Sequence, residues 1–175
     1  MEILLRNPMN DSQSAWASFH AFRRTRAAES SPGDPVISDA EFETMSRERS
    51  HDYVSRCWLA VDSGRVVGNL DVKLTKPGSP DHAAGSRFAT ADLGVLGPWR
   101  RRGVATRMIA QLHRVMCEEA REIVTVATHE PDGHAMLQHM GAHDRLRMIE
   151  SWLQMNEPEW TSLERMKVAA ITANP

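Results

Sequence analysis

The chain is short of the residues that staple small secreted folds. Its 175 residues include two cysteines, Cys57 and Cys117, in no metal-type or redox spacing. A reduced, cytoplasmic setting is therefore the expectation. Tyrosine is nearly absent, with Tyr53 alone. No apolar run reaches the length of a membrane-spanning helix, and MEILLRNPMND at the start lacks a secretory leader pattern. A dominant charge is missing too. The formal net charge is −2 and the sequence pI about 6.4, so no global pull toward nucleic acid or a membrane surface is expected. There is no Gly-Lys-Ser/Thr and no G-x-G-x-x-G, which excludes a P-loop and a dinucleotide fingerprint.

What is present reads as one α+β domain. MEILL is a candidate first strand. Asn10 with Gln13 is a capping signal for a helix carrying Trp16, Phe19, Phe22 and Ala27 at near-helical spacing. SSPGDP stops it. Ser38 with Glu41 predicts a second, charged helix to about His51. Trp58–Val61, a turn at Asp62-Ser63-Gly64, and Arg65–Leu74 read as a hairpin. Thr75 to Ser86 is loop-like, and Phe88 to Leu96 is a further strand. Then comes RRRGVATR, followed by Val104, Met108, Leu112, Val115, Met116 and Ala120 on one helical face. Ile123–Ala127 reads as a strand, Ala135–Met140 as a short helix ended by Gly141, and Met148–Met155 as a last strand. Asn156 to Pro175 forms a C-terminal extension with its own apolar periodicity, after a domain spanning 1–155.

A strand, a glycine-bearing turn and a long amphipathic helix form a phosphate-binding arrangement. The first amides of a helix lack internal acceptors, and the helix dipole adds positive potential. Gly103 and Ala105 let an anion approach the backbone. The competing readings are a nucleic-acid patch, which the acidic overall balance disfavours, and a solvated helix start without a ligand.

ADLGVLGPWRRRGVATRMI, Ala91 to Ile109, resembles the acyl-CoA-binding segment of GNAT-type N-acyltransferases. Arg100, Gly103 and Ala105 fill the first, fourth and sixth positions of that family's Q/R-x-x-G-x-G/A motif. The order of elements over Met1 to Met155 is similar to a whole GNAT domain, and the style of the segment is similar to that of tandem-domain members. The resemblance implies a mixed, mostly antiparallel sheet with helices on both faces and a splayed, V-shaped cleft. It implies acetyl-CoA as co-substrate and an amine acceptor. The charge balance and the lack of a long apolar run give no expectation of nucleic acid or membrane. His129, Glu130, His134, His139 and His143 invite a metal reading, but their spacing is not H-E-x-x-H and Pro131 with Gly133 interrupts a helix, so no metal is expected. The trailing segment is compatible with a monomer or homodimer. Leu93, Gly94, Val95 and Leu96 would pair with pantetheine and thioester. Arg100, Arg101, Arg102, Gly103, Val104, Ala105 and Thr106 would hold the pyrophosphate through their backbone.

The implied transfer needs a proton acceptor for the amine. Asp92 and His129 are the candidates, against the plainer readings of an exposed carboxylate and a surface histidine. Strand alternation sets Asp92 on the face opposite Leu93 and Val95. Glu130 and His134 are weaker candidates. The family's thiolate-protonating tyrosine falls at Leu137, which has no proton to give. Its asparagine has only Glu130 or Asp132 nearby, and His139 sits off the expected face. An alternative function is therefore a CoA-binding domain without catalysis. Acceptor recognition would come from Ser30–Pro35 and Thr75–Arg87, with Trp16, Phe19 and Phe22 as core or pocket lining.

Overall fold

A computed structural model describes residues 1–48, 50–128 and 130–144. The expected strand at Met148–Met155 and the C-terminal extension lie outside the described residues. The chain divides into two compact units, Met1–His134 and Ala135–Pro175.

The first unit is built on a five-stranded sheet in chain order, β1 Glu2–Leu5, β2 Tyr53–Asp62, β3 Arg65–Thr75, β4 Phe88–Val95 and β5 Ile123–Thr125. Neighbours among the first four strands pair antiparallel, and β5 runs parallel to β4. Helices α1 Gln13–Ser30 and α2 Asp39–Arg47 lie between β1 and β2. The one-turn α3 His82–Gly85 precedes β4, α4 Val104–Glu118 connects β4 to β5, and α5 Pro131–His139 follows. No helix among the described residues is long and apolar enough to cross a membrane.

Local chemistry sets the boundaries. Ser63 (φ 51°) and Gly64 (φ 79°) both take left-handed backbone, so β2 and β3 join through a two-residue turn of the kind whose twist matches the strands. Ser38 caps α2 as expected, accepting the Glu41 N–H at 3.2 Å. The cap of α1 is Ser12, not Asn10. Asn10 belongs to the turn around Pro8, donating its N–H to the Asn7 carbonyl, and the Asp11 carboxylate is held by Arg6. The second helix ends at Arg47, short of His51, because the chain must extend to start β2 at Tyr53. The loop after β3 contains α3, which the sequence pattern missed. Ala120 does not extend the apolar face of α4. It sits past the helix end at φ 49°, where the Arg121 N–H closes onto the Met116 carbonyl.

Each face of the sheet has its own core. On one, Val104, Met108 and Val115 of α4 pack on Trp58, Ala60, Val67, Leu70, Val72, Leu74, Ala89 and Ala91. On the other, Trp16, Phe19 and Phe22 of α1 pack on Leu59, Val66 and Leu96. Burying side chains of this size stabilises by roughly 1.5–3 kcal/mol each. Trp99, at the end of β4, touches both clusters and donates its indole N–H to Asp62 at 3.1 Å. In the second unit the described residues are the end of α5 and its cap. Gly141 adopts φ 84° and the Ala142 N–H reaches back to the Leu137 carbonyl at 3.0 Å.

Candidate functional site: a parted strand edge and an open helix start

The candidate site begins where two strands stop pairing. The β4–β5 ladder holds Phe88↔Ile123, Ala89↔Val124 and Thr90↔Thr125, and no further pair among the described residues. On its other side β4 stays paired to β3 as far as Gly68↔Val95. Backbone groups alternate in direction along a strand. Leu96 points its N–H to the Val67 carbonyl on β3, whereas the Ala89 carbonyl points to Thr125 on β5. By that alternation Ala91, Leu93 and Val95 turn their N–H and C=O groups toward the parted edge. Of the four residues expected there, Leu93 and Val95 are so placed. Gly94 and Leu96 face β3 instead, and the Leu96 side chain is fully buried under α1.

Directly beyond lies the turn into α4. Gly97–Trp99 forms a single tight turn, Arg101 (φ 60°) and Gly103 (φ 75°) take left-handed backbone, and α4 starts at Val104. The first helical bond from this end is Arg107 N–H to the Gly103 carbonyl at 3.1 Å. The N–H groups of Val104, Ala105 and Thr106 thus have no helical acceptor. A Cβ built on Gly103 would meet no protein atom within 4 Å. Glycine is needed there for its φ and for the open space over the amides, not for packing. Val104 contributes its N–H alone, because its side chain is buried against the sheet. Arg101 and Arg102 are exposed. This set of outward amides over an open glycine fits a bound pyrophosphate, the anionic part of CoA.

Arg100 behaves differently from its two neighbours. Its Nε donates to the Val95 carbonyl on the parted edge at 2.9 Å. Its terminal nitrogens meet Glu29 at 3.3 Å and Glu130 at 3.1 Å. Glu130, a weak candidate base from the sequence, is thereby ion-paired.

Asp92 lies, as alternation requires, on the α1 face of β4. Both its oxygens are bonded by Arg26 at 2.7 Å, and Arg26 also donates to Asn69 Oδ1 at 3.1 Å. Burial works against the Asp92 charge, but the Arg26 guanidinium outweighs it and holds the carboxyl below the usual range. Both Asp92 oxygens are thus engaged, and a carboxyl lowered in this way is a weaker proton acceptor than a free one. Directly across on β3, burial pushes Asp71 up, against hydrogen bonds from Cys57 and Asn69 that pull it down. Asn69 Nδ2 donates to Asp71 at 2.5 Å. Burial, with the Asp71 charge beside it, also raises the Cys57 thiol. His129 lies outside the described residues. Tyr53 opens β2, two strands from the parted edge.

Arg26, Glu29, Asn69 and Asp71 join the site with no motif to mark them. A signal existed for the first two. The stripe Trp16, Phe19, Phe22 continues along α1 to Arg26 and Glu29, so charged residues occupy the inward face where apolar ones would be expected.

Comparisons with known proteins agree with this geometry. Searching curated proteins by sequence finds no significant match. An aminoglycoside acetyltransferase from an uncultured soil metagenomic sample, solved with sisomicin, is 16% identical over 87% of this chain and 96% of its own, with a TM-score of 0.62. A ribosomal-protein-alanine N-acetyltransferase from Brucella melitensis biovar Abortus 2308 is 16% identical over 87% and 98%, with a TM-score of 0.59. A tandem GNAT protein from the clavulanic acid biosynthesis pathway is 22% identical and has a TM-score of 0.63. The match covers 81% of this chain but 43% of that protein. These likenesses establish the fold. The model of the Acetyltransferase (GNAT) family matches residues 18–142, most of the sheet and all of the cleft, and the chain belongs to that family of acyl-CoA-dependent N-acetyltransferases.

Proposed function

We propose that this chain moves an acetyl group from acetyl-CoA to a primary amine of a small molecule or a protein, in the cleft between β4 and β5. The observation that carries the reading is one continuous polar surface. The parted backbone edge, open at Leu93 and at the Val95 N–H while the Val95 carbonyl accepts from Arg100, runs directly into the acceptor-less amides of Val104, Ala105 and Thr106. Those amides, with the turn from Arg100 to Gly103, would hold the pyrophosphate. The β4 edge would hold pantetheine and polarise the thioester carbonyl. When bound, acetyl-CoA supplies the activated acyl group. Holding it and the amine in one cleft supplies proximity.

Of the two candidate bases, His129 takes the amine proton in this reading, because Arg26 engages both Asp92 oxygens and leaves that carboxylate a weak base. With Leu137 at the tyrosine position, water protonates the departing thiolate. The acceptor class is an amine, in keeping with the aminoglycoside and ribosomal-protein acetyltransferases among the structural neighbours. The protein would work in the cytoplasm, as monomer or homodimer. Leu137 also favours a second reading, a domain that binds CoA without turning it over.

Thermal unfolding with and without excess acetyl-CoA tests the site, and thiol release with a panel of amines tests the transfer. Stabilisation together with amine-dependent thiol release supports the first reading. Stabilisation without release supports the second, and no stabilisation removes both.

A further inference from the structure

The last turns of α1 reach the cradle at two points that no part of the family motif includes. Arg26 and Glu29 are three residues apart, so they share a face of the helix. Arg26 crosses directly over Gly94. A Cβ on that glycine would collide with the Arg26 Nε, so the guanidinium occupies the space a side chain would take. From there it grips both oxygens of Asp92 and the amide oxygen of Asn69. Asp92 and Gly94 flank Leu93, and Gly94 joins Leu93 to Val95, the residues presenting the free edge. Glu29 grips the next segment. Both of its oxygens accept the Gly97 N–H, at 3.1 and 3.0 Å, and one also meets Arg100 at 3.3 Å. Gly97 begins the tight turn that delivers the chain to Gly103 and α4.

We infer that Arg26 and Glu29 are two positioning residues with separate duties: Arg26 fixes the acyl half of the cofactor cradle, and Glu29 fixes its pyrophosphate half. The inference rests on the proposed CoA site. Neither residue acts on a reacting atom. Arg26 holds β4 flat so that the Leu93 and Val95 edge keeps its spacing. A single ammonium could not span two carboxylate oxygens and an amide, so lysine is no substitute. Glu29 anchors the start of the turn, and glutamine keeps an acceptor oxygen for Gly97.

The test needs no acceptor. Full-length protein is titrated with acetyl-CoA by calorimetry. The carbonyl resonance of bound [1-13C]acetyl-CoA then reports polarisation at the β4 edge. Glu29→Ala should raise the Kd by about tenfold while leaving the bound carbonyl shift unchanged, and Glu29→Gln should recover most of the affinity. Arg26→Ala should return the carbonyl shift at least halfway to its free value with the Kd changed by less than about threefold, and Arg26→Lys should not restore it. Gly94→Ala removes no functional group yet evicts Arg26, so it should reproduce the Arg26→Ala spectrum. It also keeps the inference testable if Arg26→Ala fails to fold. If both residues move the same observable, or if Gly94→Ala leaves the carbonyl shift at the wild-type value, the division of duties is wrong. If wild-type protein binds no acetyl-CoA, the site reading itself falls, which is a distinct result.

Discussion

Under α4 the sheet presents Trp58, Ala60, Leu70, Val72, Leu74, Ala89 and Ala91, with Met108 and Val115 closing over them. Under α1 the same strands present Cys57, Leu59, Asn69, Asp71 and Asp92, covered by three aromatic residues and Arg26. The first face is apolar except at its end, where Arg56 of β2 pairs with Glu118 and Glu119. The other joins an aromatic cluster to a chain of charges and amides leading to the parted edge. Ordinary burial serves the first face, and nothing there aims at the cleft except the start of α4. The second accepts buried charge, which costs stability unless it is paired and hydrogen-bonded, and gains fixed strand geometry where the cofactor would lie. Stability and site placement are thus divided between the two sides of a single sheet.

The comparison is sharpened most strongly at Leu74, which is 2% exposed on the α4 side and paired with Ala89, away from the cradle. Leu74→Ala should cost about 3 kcal/mol in urea unfolding, and calorimetry should find acetyl-CoA affinity within about twofold of wild type. A large affinity loss would mean that the apolar face also shapes the site.

A smaller effect is expected at Gly103, at the open start of α4. Valine at φ 75° is strained and would fill the space above the amides. Gly103→Val should weaken acetyl-CoA by about tenfold or more, roughly 1.4 kcal/mol, while Arg101→Ala should cost less than about threefold. Equal losses would show that side-chain charge, not backbone, holds the anion.

The smallest effect belongs to Asp71 and needs two pH values. Its carboxyl titrates above the unfolded range, so the folded state binds the proton more tightly. Stability then falls as pH rises from the unfolded carboxylate value through the folded one. The groups that set it are Cys57 from β2, Asn69 beside it, Asp92 from β4 and Arg26 from α1. Asp71→Asn removes that loss, so its urea midpoint should rise relative to wild type more at pH 7 than at pH 4. An equal shift at both pH values would deny that Asp71 carries a burial penalty.

The α4 side was largely legible in the sequence. Val104, Met108, Leu112, Val115 and Met116 announce their shared face by periodicity, and Gly103 announces its turn. Ser38 and the Ser63-Gly64 turn were legible because their partners are three residues or fewer away. The α1 side was legible only as far as its aromatic residues. Arg26 meets Asn69 and Asp92, and Glu29 meets Gly97 and Arg100, across separations of 43 to 71 residues. No local pattern encodes such a partnership, and a charged residue on a helix reads by default as solvated. The direction of the β4 backbone groups was hidden for a related reason. Alternation separates even from odd residues, but only the pairing partner decides which set faces the opening.

The shortest ladder among the described residues also governs when the cleft can exist. The β2–β3–β4 meander closes over a two-residue turn and one loop, whereas β5 reaches β4 only after the whole of α4 has been placed, and then for three residue pairs. Contacts that close larger loops form at greater entropic cost. The opening therefore forms only after the meander that supplies its β4 edge, and the β1–β2 ladder, which joins Glu2 to Val61, closes a larger loop still. A ligand seated between the limbs of the cleft would bind the paired form alone, so loading the cleft should slow local opening of β5.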